Sequence, residues 1–284
     1  MSWQSPDYLR VPAEELGRGT PVRVRIGGDQ QQIAEDFSEA IGQAIWDAKK
    51  SGREAKTTFI VPVGPVDQFP ILAEKINAEG LDCRELVLIN MDEYLDDEDQ
   101  LVPLDHPLSF RGFMNRKFYD LVDPRLAPRL ENRVFPDPQD CAAIGRLIEQ
   151  RGGVDVCFGG IGINGHMAFN EPPEPGEVVS VEEFAARPTR VLDLARETRT
   201  INSVTVGGDI GVIPRRAVTV GMREILAAKK LRFYSNRPWQ RGVVRRVLHG
   251  PITASCPASL MRLHADAELT MANYVSEPPE IQLR

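Results

Sequence analysis

Hydrophobic positions along the chain switch repeatedly between a strand period and a helix period. PVRVRI (21–26) alternates as a strand does. From 30 to 51, Ile33, Phe37, Ile41 and Ile45 recur every four residues, which predicts a helix that Gly52 is placed to end. TTFIVPV (57–63) is a continuous apolar run, as in a strand buried on both faces. Phe69, Leu72 and Ile76 predict the next helix, closed by Gly80, and ELVLIN (85–90) the next buried strand. Ile144, Leu147 and Ile148 share a helical face within 139–151, ahead of a Gly-Gly stop, and VDVCFGG (154–160) is a further strand. AVTVG (217–221) and LRFYS (231–235) read as two more. The last clear helix covers 238–249, with Pro238 near its first turn and Gly250 after its end.

This alternation is the signature of an α/β fold, a mainly parallel sheet covered on both faces. No repeat, low-complexity linker or break in composition interrupts it, so one domain over 1–284 is expected, with a polar extension at 1–20. In such sheets the ligand sits at the carboxyl ends of the strands. Attention therefore falls on the segments that leave Val63, Asn90, Phe158 and Val220.

Composition narrows the class. A chain of 284 residues can bury a full core without staples. Its net charge of -7 is opposite in sign to that of a nucleic-acid-binding domain. No apolar run reaches the ~18 residues of a membrane helix, and MSWQSPDYLR lacks the apolar core of a secretion signal. Cys83, Cys141, Cys157 and Cys256 lie far apart with no CxxC, as reduced thiols of a cytoplasmic protein do.

After the second strand, VPVGPVD (61–67) offers a glycine turn, either an anion cradle or a plain tight turn. Asp92 and Glu93 arrive just past the third strand, where a carboxylate can be a proton-transfer base. The alternative there is a solvated acidic loop, the reading given to Asp96, Asp97, Glu98 and Asp99. GGIGINGHMAFNEPPEP (159–175) contains Gly160-x-Gly162-x-x-Gly165, formally a dinucleotide fingerprint. That motif needs a helix at its third glycine, and the prolines downstream allow only a turn. The loop also carries Asn164, His166, Asn170 and Glu171, and a turn can pair His166 with Glu171 as a proton shuttle. A metal site is poorer, because no second histidine lies nearby. Residues 173–195 are polar and proline-flanked, as in a lid. Arg196 and Arg199 in RETRTINS, and Arg237 and Arg241 in NRPWQRG, are candidate anion ligands.

These residues carry a family resemblance. NMDEYL (90–95), HPLSFRGFMNRKFYDLV (106–122), GGIGINGHMAFNEP (159–172), TRTINS (198–203), AVTVGMREILAAKK (217–230) and SCPASLMRLHADA (255–267) look like glucosamine-6-phosphate deaminase, in order over residues 22–270. The resemblance implies a Rossmann-like three-layer fold, shared with ribose-5-phosphate isomerase and the CoA transferases. It implies a sugar phosphate substrate and an aldose–ketose isomerisation that opens the ring and expels ammonia, without metal or nicotinamide. No nucleic-acid or membrane partner is implied, and the family's oligomers range from monomers to hexamers.

Carried over, Asp92 matches the enolisation base, His166 the ring-opening acid/base and Glu171 the carboxylate that orients it. Arg199 matches a phosphate-site arginine and Gly64 lies in the phosphate loop. Three departures stand out. Asn164 replaces an aspartate. The loop reads Pro62-Val63-Gly64-Pro65-Val66-Asp67, without the family's hydroxyls and with one N–H fewer. Gln240 falls where the family has a phosphate-binding lysine, leaving Arg237 or Arg241 to substitute. The expected site is therefore Asp92, His166, Glu171 and Asn164 for catalysis, with Val63, Gly64, Pro65, Gly162, Arg199, Arg237 and Arg241 for substrate. The expected activity is that of the deaminase or of a close analogue with another anionic group. A sugar-lactone hydrolase of the 6-phosphogluconolactonase type and a non-catalytic sugar-phosphate sensor are the alternatives.

Overall fold

The computed structural model describes residues 4–53, 56–65 and 67–282; Val66 of the glycine turn and the first three residues of the extension lie outside them. The elements run β1 (Arg23–Ile26), α1 (Gln30–Lys50), β2 (Thr58–Val61), α2 (Gln68–Glu79), β3 (Val87–Asn90), β4 (Asp92–Leu95), α3 (Phe110–Met114), β5 (Arg133–Val134), α4 (Ala142–Arg151) and β6 (Val156–Gly160). Next come α5 (Val181–Ala185), β7 (Arg190–Asp193), α6 (Arg196–Ser203), β8 (Arg216–Thr219), α7 (Met222–Leu226), β9 (Leu231–Ser235), α8 (Gln240–His249), β10 (Ala267–Met271) and α9 (Asn273–Ser276). No helix among the described residues is long and apolar enough to cross a membrane.

Seven strands form one sheet in the order β1-β10-β9-β6-β2-β3-β5, and every pairing in it is parallel. The continuous apolar runs have the burial they predicted: Phe59, Ile60, Leu88 and Ile89 are all but inaccessible. α1 is fixed by its cap and by its apolar stripe. Asp29 and Gln32 cap it reciprocally, each side chain taking the other's backbone N–H at 3.0 Å. Phe37, from the stripe, stacks on Tyr234 of β9 with ring centroids 3.9 Å apart.

A second sheet, β4-β8-β7, is antiparallel. It corrects two expectations. Asp92–Leu95 is a buried strand and not the loop that stood as its alternative, whereas 96–99 is a largely exposed turn, as read. The 217–221 strand does not extend the parallel sheet but pairs with β4 and β7. The partner of β4 is remote in sequence, so local propensity does not decide the pairing. A separate apolar cluster of Tyr94, Val102, Phe169, Leu194, Ile213 and Ala217 packs under this small sheet.

Two segments expected to be peripheral are built in. In 173–195, Ser180 and Glu183 form a capping box at α5, Phe184 is fully buried, and β7 completes the small sheet. In the N-terminal segment, Val11 O accepts from Arg245 Nε at 2.8 Å, and Gly17 N donates to His249 Nε2 at 3.1 Å.

Candidate active site

β9, β6, β2 and β3 are neighbours, and the segments leaving their carboxyl ends enclose a cleft of about 360 Å³. A second hollow, about 330 Å³, lies at the opposite ends of β2, β6 and β9. Its Arg53, Asp155 and Lys229 are spent on one another, at 2.7 and 2.8 Å, so the first cleft is the one with open chemistry.

Strand alternation divides the acidic pair of β4. Asp92 and Tyr94 line the cleft. Glu93 points the other way, fully buried, and accepts from Tyr94 N, Ser109 Oγ and Phe110 N at 2.9 Å, Arg111 N at 2.8 Å and Arg111 Nε at 3.3 Å. Ser109 in turn caps α3 through Gly112 N. Asp92 is 7% exposed, and no described group donates a hydrogen bond to its carboxyl. Burial, with the neighbouring charge of Glu93, pushes its pKa well above the ordinary carboxylate value.

The glycine-rich loop after β6 folds His166 back over its own start. A Cβ on Gly162 would sit 2.0 Å from His166 Nε2, so only glycine admits the ring there. Gly165 needs φ +90°, and a Cβ there would meet Cys256 Sγ at 2.7 Å. No helix opens at Gly165; the next one is α5, which excludes the dinucleotide arrangement. His166 Nδ1 lies 2.9 Å from Asn164 Oδ1, 3.2 Å from Thr198 Oγ1 and 3.3 Å from Glu171 Oε2. Asn164 Nδ2 donates to Glu171 Oε2 at 2.7 Å, which fixes the amide so that Oδ1 faces the ring. Nδ1 therefore carries the proton and Nε2 is left as the acceptor. Burial pushes the Glu171 carboxyl up, but His166, with hydrogen bonds from Asn164 and Thr198, outweighs it and holds it below its usual range.

The loop's strain is held from below. Ala168 takes φ 52°, costly for a residue with a Cβ. Phe169 N donates to Thr219 Oγ1 at 3.0 Å. Asn170 Nδ2 reaches Met167 O at 3.0 Å and Val220 O at 2.8 Å, and Arg190 Nη1 donates to Asn170 Oδ1 at 2.7 Å. Thus β7 and β8 brace the histidine–glutamate loop.

Val63, Gly64, Pro65 and Gly162 also line the cleft, with Arg237 and Gln240. Asp67 turns aside to accept from Gln30 Nε2 at 2.7 Å. Arg199 does not line the cleft; its Nη2 donates to Ile210 O at 3.1 Å. Arg241 is likewise engaged elsewhere, with Tyr274 O at 2.7 Å and the Glu277 carboxylate. No group of three His, Cys, Asp or Glu side chains that could hold a metal ion occurs among the described residues.

Sequence reasoning missed the aromatic and apolar wall. Tyr94 lies 4.9 Å from Phe110 and 5.5 Å from Phe169 between ring centroids. Its hydroxyl accepts from Asn202 Nδ2 at 2.9 Å, and Ile201, Ile213 and Trp239 complete the wall. Tyr94, Phe110, Phe169, Ile201 and Asn202 all stood in the motifs that carry the resemblance, so a signal existed; Ile213 read equally well as core.

No protein-family model matches the chain. It is 30% identical to glucosamine-6-phosphate deaminase of Serratia proteamaculans over 260 residues, 90% of this chain and 91% of that one. It is 27% identical to the same enzyme of Caenorhabditis elegans over 245 residues, 86% of each. Among solved structures, a monomeric glucosamine-6-phosphate deaminase superposes with TM-score 0.76 at 22% identity, over 90% of this chain and 99% of that one. The 6-phosphogluconolactonase of Thermotoga maritima superposes with TM-score 0.63 at 15% identity, over 88% and 99%. The lactonase shares the fold, while identity of this extent with the deaminases is a statement about descent. The chain belongs to the glucosamine-6-phosphate deaminase family.

Proposed function

We propose that the protein opens an amino-sugar ring and isomerises it with loss of ammonia, as in the conversion of glucosamine 6-phosphate to fructose 6-phosphate, on that sugar or an analogue with another anionic group. The observation that carries this is the Asp92 carboxyl, buried, unpaired and raised in pKa, in the same cleft as the His166–Glu171 pair. His166 Nε2 takes the proton of the anomeric hydroxyl and delivers it to the ring oxygen, so the C1–O5 bond breaks and an aldehyde forms. Glu171 stabilises the transient imidazolium, and Asn164 keeps ring and carboxylate in register. Asp92 then removes the C2 proton while the substrate's ammonium group passes a proton to O1, giving an enolamine, and Asp92 returns its proton to C1. The resulting C2 iminium adds water, and the carbinolamine expels ammonia to leave the ketone.

Lactone hydrolysis on this fold needs the histidine but not Asp92. Ammonia release and lactone opening by wild type and Asp92→Asn separate the two. The expected result is deamination in wild type that falls by about 10³-fold or more in the variant, within the range for loss of a positioned base. Lactonase activity that survives the substitution, without deamination in wild type, would reject the reading.

A further inference from the structure

The side of the cleft where β9 ends, separated from β3 by β6 and β2, is built for less charge than a phosphate monoester brings. Its floor is Val63, Gly64 and Pro65, with Ile161 and Trp239 alongside. Pro65 and Pro238 have no N–H to offer. The Arg237 N–H is already donated to Gln240 Oε1 at 2.8 Å, and the Gln240 amide to Ile161 O at 2.8 Å. Arg199 stands outside the lining, its Nη2 on Ile210 O and its buried Nε without a partner, and Arg241 is held by Tyr274 O and Glu277. Arg237 is left, the one Lys or Arg lining the cleft among the described residues. No carboxylate pairs with it, and its guanidinium makes a single long contact, 3.4 Å to Gln30 Oε1.

One unspent planar fork and one neutral amide donor, the buried Asn236 Nδ2 that has no hydrogen-bond partner, stand over a largely apolar floor and match a particular ligand group. A phosphate monoester at neutral pH carries a charge of about -1.5 to -2 and three acceptor oxygens. A carboxylate carries one charge and two oxygens, the complement of a single guanidinium. A neutral hydroxymethyl group would leave the fork without a charged acceptor.

We propose that the substrate is a 2-amino-2-deoxyhexuronate, an amino sugar whose far end is a carboxylate, and that Arg237 selects it. This rests on the deaminase reading above and names its substrate class. The test measures ammonia release with 2-amino-2-deoxyglucuronate, glucosamine 6-phosphate and glucosamine. The same three sugars are titrated calorimetrically into the Asp92→Asn protein, which binds without turnover. The carboxylate sugar is expected to lead both others by about tenfold or more in kcat/KM and in affinity. Equal or better performance by the phosphate ester or by glucosamine overturns the proposal. In Arg237→Met the carboxylate-to-glucosamine ratio of kcat/KM is expected to fall on the order of 10- to 100-fold, through KM rather than kcat. Arg237→Lys restores it in part, because an ammonium keeps the charge without the fork. An unchanged ratio in Arg237→Met overturns the role of that residue. Failure of the deaminase reading looks different: none of the three sugars releases ammonia, and the binding order alone then decides which terminal group the cleft takes.

Discussion

Asp92 and Glu93 are adjacent carboxylates in one strand, and the fold treats them oppositely. Glu93 is surrounded by donors, whereas Asp92 has none and keeps a raised pKa. A raised folded pKa means that the ionised form is disfavoured by folding. The protonated carboxyl contributes stability that is complete below the unfolded value near 3.8 and is lost as pH rises through the folded value. An asparagine at this position, uncharged at every pH, escapes that loss. Asp92→Asn is therefore expected to be inactive yet more stable at pH 7, with a Tm higher by roughly 2–4 °C, the response to about 1 kcal/mol in a chain of this size. The advantage should shrink to nothing in melts below pH 4, and a lower Tm at pH 7 would show that Asp92 has a partner after all. Position after a strand marked Asp92, and a turn in sequence marked His166 and Glu171. What was not legible is the geometry of Asn164. Read as a lost charge, it bridges the pair, donating to Glu171 and accepting from His166, and that depends on a rotamer no spacing encodes.

The least legible element is β4. Hydrophobic periodicity finds strands by their apolar residues, and this one opens with two acids. Its burial is made tolerable by Glu93, which collects the N–H groups at the start of α3 and the side chain of Arg111. α3 continues without a break into a π-helical turn, Asn115–Tyr119, and Glu93 fixes the start of this short helical stretch. The parallel strands, by contrast, were legible because burial on both faces forces unbroken apolar runs. The arginines were half legible: long side chains reach many partners, and only Arg237 of the expected group lines the cleft. Glu93→Gln replaces acceptor oxygen with an NH₂ that faces other donors. It is expected to cost about 2–3 kcal/mol, seen as a Tm lower by roughly 5–10 °C. kcat should fall with it while KM for the sugar changes little, because β4 also carries Asp92. A loss confined to KM would mean that Glu93 shapes the sugar's seat and not the base.

At the scale of the whole molecule, the chain's two ends are gathered onto α8, and Arg245 does the gathering. It is fully buried and donates to Val11 O at 2.8 Å, Arg241 O at 3.0 Å, Glu277 O at 2.9 Å and Ser276 O at 2.5 Å. Burial, reinforced by the nearby Arg241, lowers its pKa to about 10, so it stays charged at neutral pH. An unpaired buried cation would be costly; here four carbonyls share it. The consequence reaches the cleft, because Arg237 and Gln240 stand at the start of the helix that Arg245 clamps. Arg245→Met keeps much of the volume and removes the donors that Val11 O, Ser276 O and Glu277 O now have. The expected loss is about 3–5 kcal/mol. Limited proteolysis should then cut before residue 20 and after residue 270 faster than in wild type, ahead of any cut in the sheet. A rise in KM should accompany it, since the first turn of α8 loses its backing while Asp92 and His166 are anchored on β4 and the loop after β6. If proteolysis spared both ends and KM held, the clamp would be a local feature of α8, and the far wall of the cleft would draw its rigidity from the Gln240–Ile161 bond alone.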